Sequence, residues 1–145
     1  MKRDKYSSIK QACIINDQIF KEIITHFSFR TEHAIAQYIR KRFRDFGVKP
    51  AYPPIVANNH MIIHPKPRKK KLERGWLLLD FGCKVNGWCS DMTRTFFLGK
   101  ATTPEKKLYR LVLQSQVRTI SRIKVGVLGC DLDLHSRHLL GDYKP

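Results

Sequence analysis

The chain has 145 residues, 42% of them hydrophobic and 28% charged, which permits a buried core and excludes wholesale disorder, collagen and a disulfide scaffold. Its 28 Lys and Arg against 12 Asp and Glu give a net charge of +16, a balance that favours nucleic acid, acidic proteins or anionic surfaces as partners without identifying a fold. No apolar run approaches the roughly 20 residues of a membrane helix. The charged start at Met1 to Lys5 predicts no signal peptide. Cys13, Cys83, Cys89 and Cys130 form no C-x-x-C pair, so free thiols in a reducing cytoplasm are expected, with no membrane partner.

From about Ser8 to His26, Ile9, Ala12, Ile15, Ile19 and Ile23 recur at helical spacing and predict an amphipathic helix. After a short connection, Thr31 is the N-cap of a second helix. Glu32 suits its positive first turn, and Lys41, Arg42 and Arg44 suit its negative end before Gly47. Pro50, Pro53 and Pro54 forbid a helix, and Ile55 to Ala57 reads as a short strand. Asn58 to Arg74 reads as a loop carrying His60, His64 and a basic run. Trp76 to Lys84 and Trp88 to Phe97 read as two strands joined by Asn86-Gly87, whose residues tolerate the positive φ of a type I′ turn. Thr103-Pro104-Glu105 predicts an N-cap, a proline at N1 and an acid in the first turn of a helix running to Val125-Gly126. A last helix is expected from near Asp131.

A two-residue turn at Asn86-Gly87 pairs Val85 with Trp88, Asp80 with Thr93 and Gly82 with Asp91. Alternation along each strand then puts Asp80 and Asp91 on one face, diagonal neighbours about 7–8 Å apart between backbones. Two like charges on a strand made apolar by Leu77, Leu78 and Leu79 require compensation. A local base such as Arg94 or Lys84, a raised pKa on one acid, or one or two divalent cations would each provide it. Arg94 falls on the opposite face by the same alternation.

Asp80-Phe81-Gly82 followed by Asn86-Gly87-Trp88-Cys89-Ser90-Asp91-Met92-Thr93-Arg94-Thr95 resembles the signature of the pita-bread metalloaminopeptidases, which include methionine aminopeptidases, Xaa-Pro aminopeptidases, prolidases and creatinases. The form S-D-x-T-R-T is closest to the Xaa-Pro branch. Pro53 to Asn59, His64, the two opening helices and Leu72-Glu73-Arg74-Gly75 extend the resemblance over nearly the whole chain. It implies an α+β fold: the N-terminal half of a pita-bread domain, helices packed on a curved antiparallel sheet. It also implies Asp80 and Asp91 as metal ligands, His64 as a substrate-binding residue and a divalent metal pair (Mn, Co or Zn) in the complete enzyme. The substrate would be a peptide, cleaved most readily ahead of proline.

The family's further ligands, one His in a glycine-rich H-G-x-G-H-type segment and two Glu, have no counterpart after Cys130. Residues 1–145 are thus expected to form a partial catalytic domain, inactive and at most a weak metal binder on its own. The accessory N-terminal domain and the C-terminal half would be absent. A complementary half or a homodimer would be its partner. The alternative reading is a basic, non-catalytic module that binds RNA, ribosomes or acidic proteins. For that reading the candidates are Lys66, Arg68, Lys69, Lys70, Lys71 and Arg74, with Arg40, Lys41, Arg42 and Arg44 beside them. The favoured expectation for the run is a solvated loop. Cys89 is expected as a buried thiol beside the acids, and His60, His135 and His138 as surface residues.

Overall fold

A computed structural model describes residues 4–59 and 66–141, so His60 and His64 lie outside the described residues. The elements are α1 (Lys5–Thr25), α2 (Glu32–Asp45), β1 (Lys49–Pro50), β2 (Ile55–Asn58), β3 (Gly75–Phe81), β4 (Cys83–Val85), β5 (Trp88–Cys89), β6 (Met92–Leu98), α3 (Thr103–Ile120) and α4 (Gly129–Leu140). This is the expected α+β class. The chain divides into two compact units, residues 1–100 and 101–145.

In the first unit α1 begins earlier than its apolar period indicates, because the Asp4 carboxylate accepts the N–H groups of Tyr6 and Ser7 at 3.2 and 3.1 Å. Thr31 caps α2 as expected, its hydroxyl accepting from the Ala34 N–H at 3.1 Å. One stripe of each helix is buried, Ala12, Ile15, Ile19 and Ile23 on α1 and Ile35, Ala36, Ile39 and Phe43 on α2. These stripes form one core with Val56, Leu77, Leu79, Phe81, Cys83 and Val85 of the strands. Burying each large side chain contributes roughly 1.5–3 kcal/mol.

The strands form two antiparallel three-stranded sheets, ordered β2-β3-β6 and β1-β4-β5. Asn86 and Gly87 both adopt positive φ, 51° and 88°, as the turn requires. Val85 pairs with Trp88 and Asp80 with Thr93, the expected register. Each expected long strand is instead broken in two, at Gly82 and at Ser90-Asp91, so one hairpin feeds both sheets. The register is the same on both sides, so no residue is inserted at the break.

The cause is local. Gly82 lies against the Ser90 backbone, where a Cβ would collide with the Ser90 carbonyl oxygen. Buried Ser90 is tied to Cys83: its Oγ accepts the Cys83 N–H (3.1 Å), its own N–H donates to the Cys83 carbonyl (2.9 Å), and its Oγ–H can donate to that carbonyl (3.4 Å) or to the Cys83 Sγ (3.7 Å). The Phe81 carbonyl, at the end of its ladder, accepts from buried Asn16 Nδ2 of α1 at 3.3 Å.

In the second unit the N-cap of α3 is Thr102, one residue before the Thr103 expected from the proline. Thr102 and Glu105 form a reciprocal capping box, the Glu105 carboxylate accepting the Thr102 N–H at 2.7 Å. The helix ends at Ile120, short of Val125, where the Ser121 hydroxyl donates to the Arg118 carbonyl at 2.8 Å. α4 starts at Gly129, two residues before Asp131. Ser115 and Ser136 hydroxyls tie α3 to α4 at 3.0 Å. No helix among the described residues is long and apolar enough to cross a membrane.

Candidate functional site

Asp80 is the penultimate residue of β3, on the face opposite core residues Leu79 and Phe81, and is half-buried. Asp91 sits at the break before β6 and is exposed. The structure brings them together, as the register predicts, and adds a residue that the sequence reading does not contain. The Tyr52 hydroxyl lies 2.6 Å from Oδ1 of Asp80 and 2.6 Å from Oδ1 of Asp91. Arg94 instead donates to the neighbouring Thr93 carbonyl at 2.9 Å.

Tyr52 is delivered by the segment between β1 and β2. The Ala51 N–H donates to the Gly82 carbonyl at 2.8 Å, anchoring that segment to the break. Pro53 and Pro54 hold the backbone extended beyond it. Tyr52 Cε1 passes 3.1 Å from where a side chain at Gly82 would start, so the missing Cβ makes room for the ring. Burial pushes the phenol's pKa well above its usual range. Hydrogen bonding to Asp80 and Asp91 and the charges of both acids add to that shift. The hydroxyl is therefore protonated at neutral pH.

The pair opens into a cleft of about 700 Å³, lined by His33 and Arg40 of α2, residues 52–55, Lys66, Pro67 and the two aspartates. Glu32, the sequence neighbour of the lining residue His33, makes a separate buried clamp. This carboxylate is 1% exposed and accepts the Asn58 N–H at 2.8 Å, the Arg68 N–H at 2.7 Å and Arg68 Nη2 at 2.7 Å. The Arg68 guanidinium also donates to the Asn58 carbonyl at 2.8 Å. The sequence assigns Glu32 only to the helix terminus; the buried clamp is the larger part of its environment.

The expectations for Cys89 and, in the second unit, for His135 change, and that for the basic run is refined. Cys89 is exposed, not a buried thiol: β5 is a two-residue edge strand with both residues exposed. The basic run is exposed as a solvated loop would be, yet several of its cations have intramolecular partners. Arg68 binds Glu32, Lys70 binds Glu73 at 2.7 Å, and Arg74 stacks on Phe97 at 4.8 Å and donates to the Lys100 carbonyl. His135 is partly buried, with Nε2 lacking a hydrogen-bond partner, while His138 is exposed. All four cysteines are free, as expected.

The carboxylates present oxygen donors, one of them solvent-accessible, around a single point, a donor set that suits a hard or borderline divalent cation. Among the described residues no group of three or more His, Cys, Asp and Glu side chains converges on a common point. The residues therefore fit such a cation as two members of a larger ligand set.

The sequence model of metallopeptidase family M24 matches residues 7–144. The Xaa-Pro dipeptidase of Pyrococcus furiosus is 28% identical over 146 residues, covering 97% of this chain and 42% of that protein. The crystal structure of an X-Pro aminopeptidase from Thermotoga maritima superposes with a TM-score of 0.85 at 30% identity, covering 95% of this chain and 41% of that one. A prolidase structure from Pyrococcus furiosus superposes with a TM-score of 0.88 at 26% identity, covering 98% and 44%. The chain thus spans about two fifths of the length of these relatives, and the pita-bread architecture it shares with them is limited to that portion.

Proposed function

This chain belongs to metallopeptidase family M24, and from that premise we propose that it supplies the two-aspartate part of a metal-dependent site that hydrolyses a peptide bond at an N-terminal residue, preferentially ahead of proline. The observation that carries the reading is the convergence of Asp80 and Asp91 on one hydroxyl in the wall of the cleft. The names of the relatives support the substrate class.

Bound divalent cations supply Lewis acidity that makes water a nucleophile at neutral pH. Asp80 and Asp91 would hold them, with rigid strands on both sides of the break fixing the separation of the two carboxylates. His64 orients the peptide in this reading. In this reading residues 1–145 form a partial catalytic domain whose remaining ligands come from a complementary C-terminal half, and a second copy of the chain is the alternative partner.

Titration with Mn(II), followed by the EPR signal of the free ion, tests the site. Weak binding is expected, and Asp80→Asn or Asp91→Asn should reduce it at least about tenfold, the loss of one charged oxygen ligand. Unchanged binding in both variants would remove the basis of the proposal. The 145-residue chain by itself is expected not to turn over an Xaa-Pro peptide, since two carboxylates leave a metal pair under-coordinated. Turnover abolished both by a chelator and by Asp91→Ala would show that these residues suffice.

A further inference from the structure

A phenol has one proton to donate. Tyr52 Oη nevertheless stands 2.6 Å from a carboxylate oxygen on each side, the short end of O–H···O distances and typical of a charged acceptor. It can donate to Asp80 or to Asp91 at one moment, and must turn a lone pair toward the other. Divalent cations lie about 2.0–2.6 Å from carboxylate oxygens. A cation held by these same two carboxylates on the side where Oη stands would therefore need the space that Oη fills.

We propose that the Tyr52 hydroxyl holds Asp80 and Asp91 together in the cation-free chain and competes with a divalent cation for the position between them. This rests on the reading of the two aspartates as metal ligands. The anchoring of Ala51 to the Gly82 carbonyl fixes the segment that carries Tyr52. The hydroxyl is thereby presented to the pair by the fold and does not reach it by chance rotation from a free loop. Tyr52 is in this sense a positioning residue: it keeps two like charges facing one point, and it lowers the affinity with which that point takes a cation.

The competition has a sign that a purely structural role would not produce. Tyr52→Phe keeps the ring and removes the hydroxyl. The acids then face each other without a donor, so the cation-free form loses stability and a cation relieves more repulsion on binding. Mn(II) titration by EPR should show roughly tenfold tighter binding in Tyr52→Phe than in the unsubstituted chain, with a larger Mn-induced rise in Tm. Equal or weaker binding in a folded Tyr52→Phe, while Asp80→Asn still weakens binding, would overturn the competition and leave the two-aspartate site standing. Binding indifferent to Asp80→Asn and Asp91→Asn would overturn both.

A second measurement needs no substitution at Tyr52. In the chain labelled with 13C at the tyrosine Cζ, Zn(II) should shift the Tyr52 resonance, and Asp91→Asn should remove that shift. A Tyr52 signal unmoved at saturating Zn(II) would show that cation and hydroxyl do not meet.

Discussion

Glu32→Ala is expected to destabilise the first unit by about 3 kcal/mol, read from the urea midpoint, the low end of the cost of breaking a buried ion pair. The low end applies because the Arg68 side chain is 42% exposed and regains water when released. The Asn58 and Arg68 N–H groups lose a charged acceptor at the same time, and each buried donor left unpaired costs about 1–3 kcal/mol.

The effect should depend on pH with a definite sign. Burial pushes the Glu32 carboxyl up, but the Arg68 side chain, then the Arg68 and Asn58 backbone N–H groups, outweigh it and hold the carboxyl below the usual range. A folded-state pKa below the unfolded one gives stability that is present above the unfolded value, about 4.3, and lost as pH falls through the folded value. The gap between the unsubstituted chain and Glu32→Gln should therefore be open at pH 7 and close in acid. A gap independent of pH would contradict this account.

Gly82→Ala should be comparably damaging for a different reason. The added methyl group would meet the Ser90 carbonyl group, with the carbonyl carbon 2.9 Å away, and backbone cannot move aside as a flexible side chain would. Relief requires opening the break between the two sheets, at a cost of about 3 kcal/mol, the upper part of the overpacking range. Gly87→Ala is the control: its φ of +88° strains any L residue, but nothing lies within 4 Å of the new atom, so about 1 kcal/mol is expected. Urea denaturation of the two variants would show the ordering; a loss in Gly82→Ala no larger than in Gly87→Ala would contradict the close approach at Ser90 as the governing feature.

The hairpin was legible because its information is local. Asn86-Gly87 determines the turn, the turn determines the register, and the register alone brings Asp80 and Asp91 to one face. The break was not legible, because Gly82 and Ser90 sit in otherwise strand-like runs and their close approach exists only once the strands are paired. Tyr52 was missed for a related reason: it lies 28 and 39 residues from the acids it bonds, and nothing in Ala51-Tyr52-Pro53 signals that contact. Glu32 was visible as a helix-end acid, but its clamp on Arg68 spans 36 residues and carries no periodic signature. Thr102 and Asp4 are cap-forming residue types, but the proline at 104 points to Thr103 and the apolar period of the first helix starts beyond Asp4, so neither cap is signalled by the pattern around it.

The unbroken count across Gly82 and Ser90 turns the eleven-residue spacing of the aspartates into a parity condition. Because the register is equal on both sides of the break, alternation passes through it as if the strands were continuous. One residue gained or lost between Asp80 and Asp91, with the two-residue turn preserved, would send one carboxylate to the side occupied by Leu79 and Phe81. Two would restore the shared face at a longer reach. Length change in this hairpin is therefore tolerated in steps of two or not at all, a constraint that acts on insertions and deletions rather than on residue identity.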